Sequence, residues 1–218
     1  MTLKLYFAPG ACSFVPHTLL ETSGAPFEPV MVKLHKGEQQ QEPFKAINPR
    51  GQVPVLVDGG EVITQILAIV TWLDAKFPEQ GFLPPEPLAR TRVLETLAWM
   101  NNTVHPTFTH VFMPYKFAGT PEAQAELKAF NAKQYAALLD EIEAMAQKAA
   151  AAGQPFLGGA RFGPLDAYAL TLLRWGGFAR IDPTGYQALW AHVQKVAQLP
   201  GVQRAIDRER LQLNLYKA

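Results

Sequence analysis

The sequence predicts a small α/β unit followed by an all-helical one. Over residues 1–77, short β-rich runs and helical runs are interleaved. A proline-rich connector, GFLPPEP (81–87), then interrupts the chain. Beyond it, apolar residues recur at three- and four-residue spacing, the period of a helix face. We therefore expect one domain over 1–80, a linker over 81–87 and a helical domain over 88–218.

LKLYF (3–7) reads as the first strand. Ser13 to Thr22 read as a helix, and Gly24 stops it. FEPVMVKL (27–34) alternates in part and reads as a second strand. Pro29 lacks a ladder N–H, which puts that strand at a sheet edge. HKGEQQQEPFKAINPRG (35–51) is polar and reads as a loop. VPVLVD and EVIT flank Gly59-Gly60, the turn chemistry of a two-residue hairpin. Ile66, Ile69, Val70 and Leu73 then share one face of a helix running to Phe77.

In the second half, Leu94, Leu97, Asn101, His105 and Phe108 share a helical stripe. Pro106 removes a backbone donor there and should kink the helix. Thr120-Pro121-Glu122 is a helix start: a capping hydroxyl, a first-turn proline and an acid. Leu127, Phe130, Leu138, Ile142 and Met145 then make a core-facing stripe on that helix, and the alanines at 149–152 read as its frayed end. Asp166 opens a helix that ends at Gly176-Gly177. Tyr186, Leu189, Trp190, Val193 and Val196 mark another, before Leu199-Pro200. The count is about five helices.

Composition excludes several function classes. With 48% hydrophobic residues over 218 positions, the chain builds a packed core. A net charge of +1 with scattered Lys and Arg gives no footprint for nucleic acid or an anionic membrane. VPVLV and ILAIV are too short to span a bilayer. The first residues lack the pattern of a secretory signal. The single cysteine rules out an internal disulfide and a Cys-rich metal site. Together these predict a cytoplasmic protein.

That cysteine, Cys12, falls where the first strand hands over to the first helix. The positive end of a helix dipole favours thiolate, which makes Cys12 a candidate nucleophile. The competing reading is a buried, inert cysteine. Position 15 is Val, so intrachain dithiol exchange is excluded, and only mixed-disulfide chemistry with an outside thiol remains. Val53-Pro54 precedes a strand, and a cis bond there would leave backbone groups free for a ligand. His105 lies on an apolar stripe and reads either as a site residue or as a satisfied core residue. His17 and His110 carry no motif and read as structural, and His192 as a surface residue.

LYFAPGACSFVPH, INPRGQVPVL, EVITQILAI, TVHPTFTHVF and FLGGARFGPLDAYAL together resemble the bacterial, beta-class glutathione S-transferases over nearly the whole chain. The resemblance implies a thioredoxin-like N-terminal domain, an all-α C-terminal domain and glutathione as cosubstrate. It implies that Cys12 lies beside the glutathione sulfur, able to form a mixed disulfide with it, and that His105 lines the same site. Val53, with Pro54 cis, would bind the cysteinyl backbone, with Gln52 beside it. Gln65 and the helix end at Ile66 would take the γ-glutamyl group. Lys36 and His35 are candidates for the glycyl carboxylate. The second substrate would be a small apolar electrophile lined by Phe7, Phe108, Val111 and Phe112. The family also implies a homodimer, a cytoplasmic location and a role in detoxification.

Three positions depart from the family pattern. Ile66 stands where a serine normally bonds the glutamyl carboxylate. Val104 and Pro106 stand where Glu and Lys commonly flank the histidine. One lost charge-assisted hydrogen bond is worth about 1.5–3 kcal/mol, or roughly one to two decades of affinity. The bulk of Ile66 is also expected to compete for the carboxylate space. These departures support an alternative, a non-catalytic binding protein on the same scaffold. A thiol enzyme using a different thiol cofactor is a third reading.

Overall fold

The structure is a computed structural model, and it describes residues 3–217. Four strands form one mixed sheet: β1 (Leu3–Phe7), β2 (Phe27–Met31), β3 (Val55–Asp58) and β4 (Glu61–Thr64), in the order β2-β1-β3-β4. β1 runs parallel to β2 and antiparallel to β3, and β3 pairs antiparallel with β4. β2 lies at the edge, as Pro29 predicts, although it ends at Met31. Asp58 faces Glu61, so Gly59 and Gly60 alone make the turn, at φ of 62° and 98°. Both angles belong to a primed hairpin turn.

β1 shows why the sheet needs two covers. Leu3, Leu5 and Phe7 are buried in the main core, while Lys4 and Tyr6 alternate to the other face. There Tyr6 packs with Val32, Phe44 and Val55 in a second, smaller cluster. Phe44 comes from α2 (Glu42–Lys45), a one-turn helix inside the stretch expected to be loop. On the main face lie α1 (Phe14–Ser23), closed by Gly24 at φ 70°, and α3 (Ile66–Lys76). Ile66, Ile69, Val70 and Leu73 are all buried, as their spacing predicts.

The rest is helical: α4 (Pro87–Trp99), α5 (His105–Phe112), α6 (Pro121–Ala151), α7 (Pro164–Trp175), α8 (Gln187–Ala197) and α9 (Pro200–Glu209). The disturbance expected from Pro106 takes the form of a π turn over Met100–Val104, where the His105 N–H reaches back to the Met100 carbonyl. Thr120 caps α6 by accepting the Ala123 N–H at 3.2 Å. Its buried face is Asn131, Tyr135, Leu139, Ile142, Ala146 and Ala149, so of the expected core stripe only Ile142 is fully buried and Phe130 is exposed. Every residue of α7 except Arg174 is buried, so this helix is the axis of the core. Asp166 secures its start. It is fully buried and accepts the N–H groups of Gly163 at 2.9 Å and Leu157 at 2.8 Å. The third partner is His192 Nε2 at 2.9 Å. His192 is thus not the surface residue expected, because α8 turns it towards the α7 N-terminus.

One apolar core joins the main face of the sheet to the helices. α1 packs on α3, α7 and α9, so the helix that follows Cys12 is held from the C-terminal half. No helix among the described residues is long and apolar enough to cross a membrane.

Candidate active site

Residues 8–13 link β1 to α1 in a tight loop. Ser13 Oγ closes it, accepting the Ala8 N–H at 3.1 Å and donating to the Ala8 carbonyl at 3.2 Å. Gly10 has φ +70°, and a β-carbon there would meet the Arg174 guanidinium at 2.7 Å. Only glycine fits.

Cys12 is partly exposed on this loop, and its S–H donates to the Val53 carbonyl at 3.6 Å. The Val53–Pro54 bond is cis. Burial pushes the thiol up to about 12, against the opposing pull of the Cys12 and Ser13 backbone groups. Of the two readings of Cys12, this favours the protonated thiol over the thiolate. The helix N-terminus is present, but desolvation outweighs it.

Val55 pairs with Thr64, so Pro54 and Gln65 share the open end of the β3–β4 hairpin. Gln65 is exposed, adopts φ 72° and precedes α3 without capping it through its side chain. The first-turn N–H groups of Ile66, Leu67 and Ala68 therefore lack intrahelical partners. The Ile66 side chain is only 3% exposed and packs in the main core. This corrects the expectation that its bulk competes for the carboxylate space: it removes a hydroxyl from the helix end without blocking it.

Gln52 is exposed, and its carbonyl accepts from Asn48 Nδ2 at 2.7 Å. Lys36 and His35 are exposed on a 3-10 turn. The loop that follows lies against Gly51, where a β-carbon would sit 2.8 Å from the Gln39 carbonyl.

His105 opens α5, and its Nδ1 lies 2.8 Å from the Tyr168 hydroxyl. That hydroxyl also lies 3.3 Å from Asn101 Oδ1. Burial lowers His105 to about 4, so the ring is neutral at physiological pH. Trp175 joins this histidine to the cysteine loop. Its ring lies 4.8 Å from that of His105, and its Nε1 donates to the Gly10 carbonyl at 2.8 Å.

Trp175 also begins an aromatic wall. Phe108 stacks on it at 4.6 Å, Phe112 stacks on Phe108 at 5.5 Å, and Phe178 lies 4.9 Å from Phe112. Phe112 and Phe178 are 49% and 44% exposed, whereas Phe7 and Val111 are buried in the interior and line nothing open. Of the four expected lining residues only Phe112 is exposed, and Phe178 stands exposed beside it. Tyr168, Trp175 and Phe178 were not singled out from sequence. Trp175 had a usable signal: it ends a helix of small and aliphatic residues, just before Gly176-Gly177.

The structure thus brings Cys12, Val53, Pro54 and, through Trp175, His105 together, with Gln65 and Ile66 at the neighbouring helix end. The family model for the glutathione S-transferase N-terminal domain matches residues 1–75. Glutathione S-transferase GstA of Escherichia coli O157:H7 is 33% identical over 215 residues, 96% of this chain and 100% of the relative. A sphingomonad glutathione S-transferase solved in complex with glutathione superposes with a TM-score of 0.80 at 34% identity, covering 96% of this chain and 100% of that one. A beta-class glutathione S-transferase of Sphingomonas chungbukensis has a TM-score of 0.82 at 29% identity, covering 96% and 100%. The chain belongs to the glutathione S-transferase family.

Proposed function

We propose that this chain binds glutathione across the Cys12 loop, Val53 and the α3 N-terminus, and conjugates it to a small apolar electrophile. The observation that carries this reading is the Val53 backbone beside a cis Pro54, opposite the Cys12 thiol. An extended peptide pairs with such an exposed backbone, and its own cysteinyl sulfur then falls beside Cys12. The uncapped first turn of α3, with Gln65, takes the γ-glutamyl carboxylate. Lys36, with Gln52 on the neighbouring loop, takes the glycyl end.

Protonation states assign the roles. With its pKa raised to about 12 by burial, Cys12 is a protonated thiol at pH 7. In this state Cys12 is a hydrogen-bond donor, not a nucleophile. Glutathione releases its thiol proton to solvent, and its sulfur carries the charge, steadied by α1 and by the Cys12 S–H once that proton turns from the Val53 carbonyl. His105 is a neutral ring held by Tyr168, and it contributes a hydrogen bond rather than a charge. The glutathione thiolate attacks the electrophilic carbon, and the leaving group departs with the bonding electron pair. The aromatic wall holds an apolar second substrate against this sulfur. These states favour conjugation over mixed-disulfide chemistry led by Cys12.

A sheet-containing glutathione domain over 1–80, a linker over 81–87 and a helical domain over 88–218 form the framework of this reading. Half-exposed Val62 and Trp72 and exposed Leu88 support a homodimer, which sedimentation would test. A cytoplasmic location and a part in detoxification complete it.

The second reading is a non-catalytic binding protein. The absence of a hydroxyl at Ile66 favours it. Steady-state turnover of 1-chloro-2,4-dinitrobenzene with glutathione decides between the two. Turnover above the uncatalysed rate supports conjugation. Tight glutathione binding without turnover supports the binding protein.

A further inference from the structure

The last turn of α9 carries a carboxylate that the proposed chemistry does not use. Glu209 is buried, as is His17 on α1, and its Oε1 lies 2.6 Å from His17 Nδ1. Its Oε2 accepts the Gly10 N–H at 2.7 Å, across 199 residues of sequence. The opposite side of the same residue is held too, since Trp175 Nε1 donates to the Gly10 carbonyl at 2.8 Å. One residue of the Cys12 loop is therefore clamped by α9 and by α7.

Stability alone is a poor account of Glu209. An acid in the last turn of a helix opposes the helix dipole. A buried hydrogen-bonded pair commonly contributes no more than apolar side chains of the same shape. α1 and α9 also have a separate tie, since Glu21 pairs with Arg204 at 2.9 Å and Arg208 at 3.0 Å. What Glu209 alone supplies is an acceptor for a loop amide two residues before Cys12.

We infer that Glu209 is a positioning residue: acting through the Gly10 amide and His17, it holds the Cys12 loop in register with Val53. This rests on the proposed role of Cys12 beside the glutathione sulfur. A loop free to move by about 1 Å misplaces the S–H donor, and such shifts cost up to roughly a hundredfold in rate. Glutamine at 209 preserves the clamp. Its amide oxygen accepts from Gly10, and its NH₂ donates to His17 in the other tautomer. Aspartate is one methylene shorter and cannot span Gly10 and His17 together.

The test compares wild type, E209Q, E209D and E209A, with V193A in α8 as a control that loses core packing elsewhere. Hydrogen exchange of the Gly10 amide and alkylation of Cys12 by iodoacetamide need no glutathione. kcat and KM with glutathione and 1-chloro-2,4-dinitrobenzene report the chemistry. We expect E209A and E209D to speed Gly10 exchange at least about tenfold. We expect kcat to fall roughly ten- to a hundredfold, with KM for glutathione within about threefold. E209Q should recover both, and V193A should change neither. Should E209A fail to fold, E209D and E209Q still decide. Wild-type exchange and kcat in E209D would overturn the inference. No turnover in wild type would overturn the conjugation reading, while exchange and alkylation would still judge Glu209.

Discussion

The Cys12 thiol donates to the Val53 carbonyl at 3.6 Å, from a loop at one end of the chain's first helix to the residue preceding a cis proline. The two residues are in direct contact, so a peptide that pairs with the Val53 backbone lies alongside the Cys12 sulfur. Burial sets the chemistry here: it keeps the Cys12 thiol and the His105 imidazole neutral.

Cys12 alkylation should follow a pH midpoint well above that of an ordinary thiol, near 12. A stability signature accompanies it. The folded thiol holds its proton while the unfolded one, near 9, releases it. Native stability is therefore unaffected below about pH 9 and falls between about 9 and 12. Urea unfolding of wild type and Cys12→Ala from pH 8 to 10.5 checks this, because other groups cancel in the difference. A constant gap between the two proteins would contradict it.

His105 carries the opposite dependence. Its folded pKa of about 4 lies below the ordinary 6.5, so the unfolded chain binds more protons between those values. The stability from the neutral ring is complete above about pH 6.5 and is lost as pH falls towards 4. Wild type should lose stability relative to His105→Gln across that window. Ring NMR shifts should show no protonation at pH 6.

Ile66→Ser restores a hydroxyl at the α3 N-terminus and removes a core side chain. Both effects should appear together. Stability should drop by about 3 kcal/mol, from the lost burial and the cavity. Glutathione affinity should rise about tenfold through the added hydrogen bond. Chemical denaturation and calorimetry on the same variant separate the two. A stability loss with unchanged affinity would mean that the carboxylate does not sit at this helix end.

Asp166→Ala should be the most damaging single change among the polar residues. It strands the Gly163 and Leu157 N–H groups and His192 at the start of the central helix. A loss of about 3–5 kcal/mol follows from leaving buried partners unpaired. Asp166→Asn keeps one acceptor and should lose less. Equal losses in the two variants would contradict this account.

The sequence shows most clearly what local rules control. Gly59-Gly60 forms its hairpin, Gly24 ends α1, Thr120 caps α6, and Pro29 marks the sheet edge, each through its own backbone preference. What was not legible depends on distance along the chain. The α2 turn forms because Phe44 covers the second face of the sheet, which no local pattern in a polar stretch announces. No element beyond Leu199-Pro200 is expected from the sequence, so α9 goes unread. Yet Val202, Ala205, Ile206 and Glu209 lie three or four apart and are all buried. That spacing places Glu209 on the inner face, although its partners, Gly10 and His17, are at the other end of the chain. The two readings of Cys12 stay open in the sequence for a related reason: a dipole is visible there, whereas burial is a sum over distant neighbours.

Isothermal titration of glutathione into the purified protein at pH 7 tests the proposed site most directly. Binding with a Kd below about 1 mM, weakened in Cys12→Ala, is the predicted result. A Kd at or above that value, or one unmoved by Cys12→Ala, would contradict a glutathione sulfur seated beside Cys12.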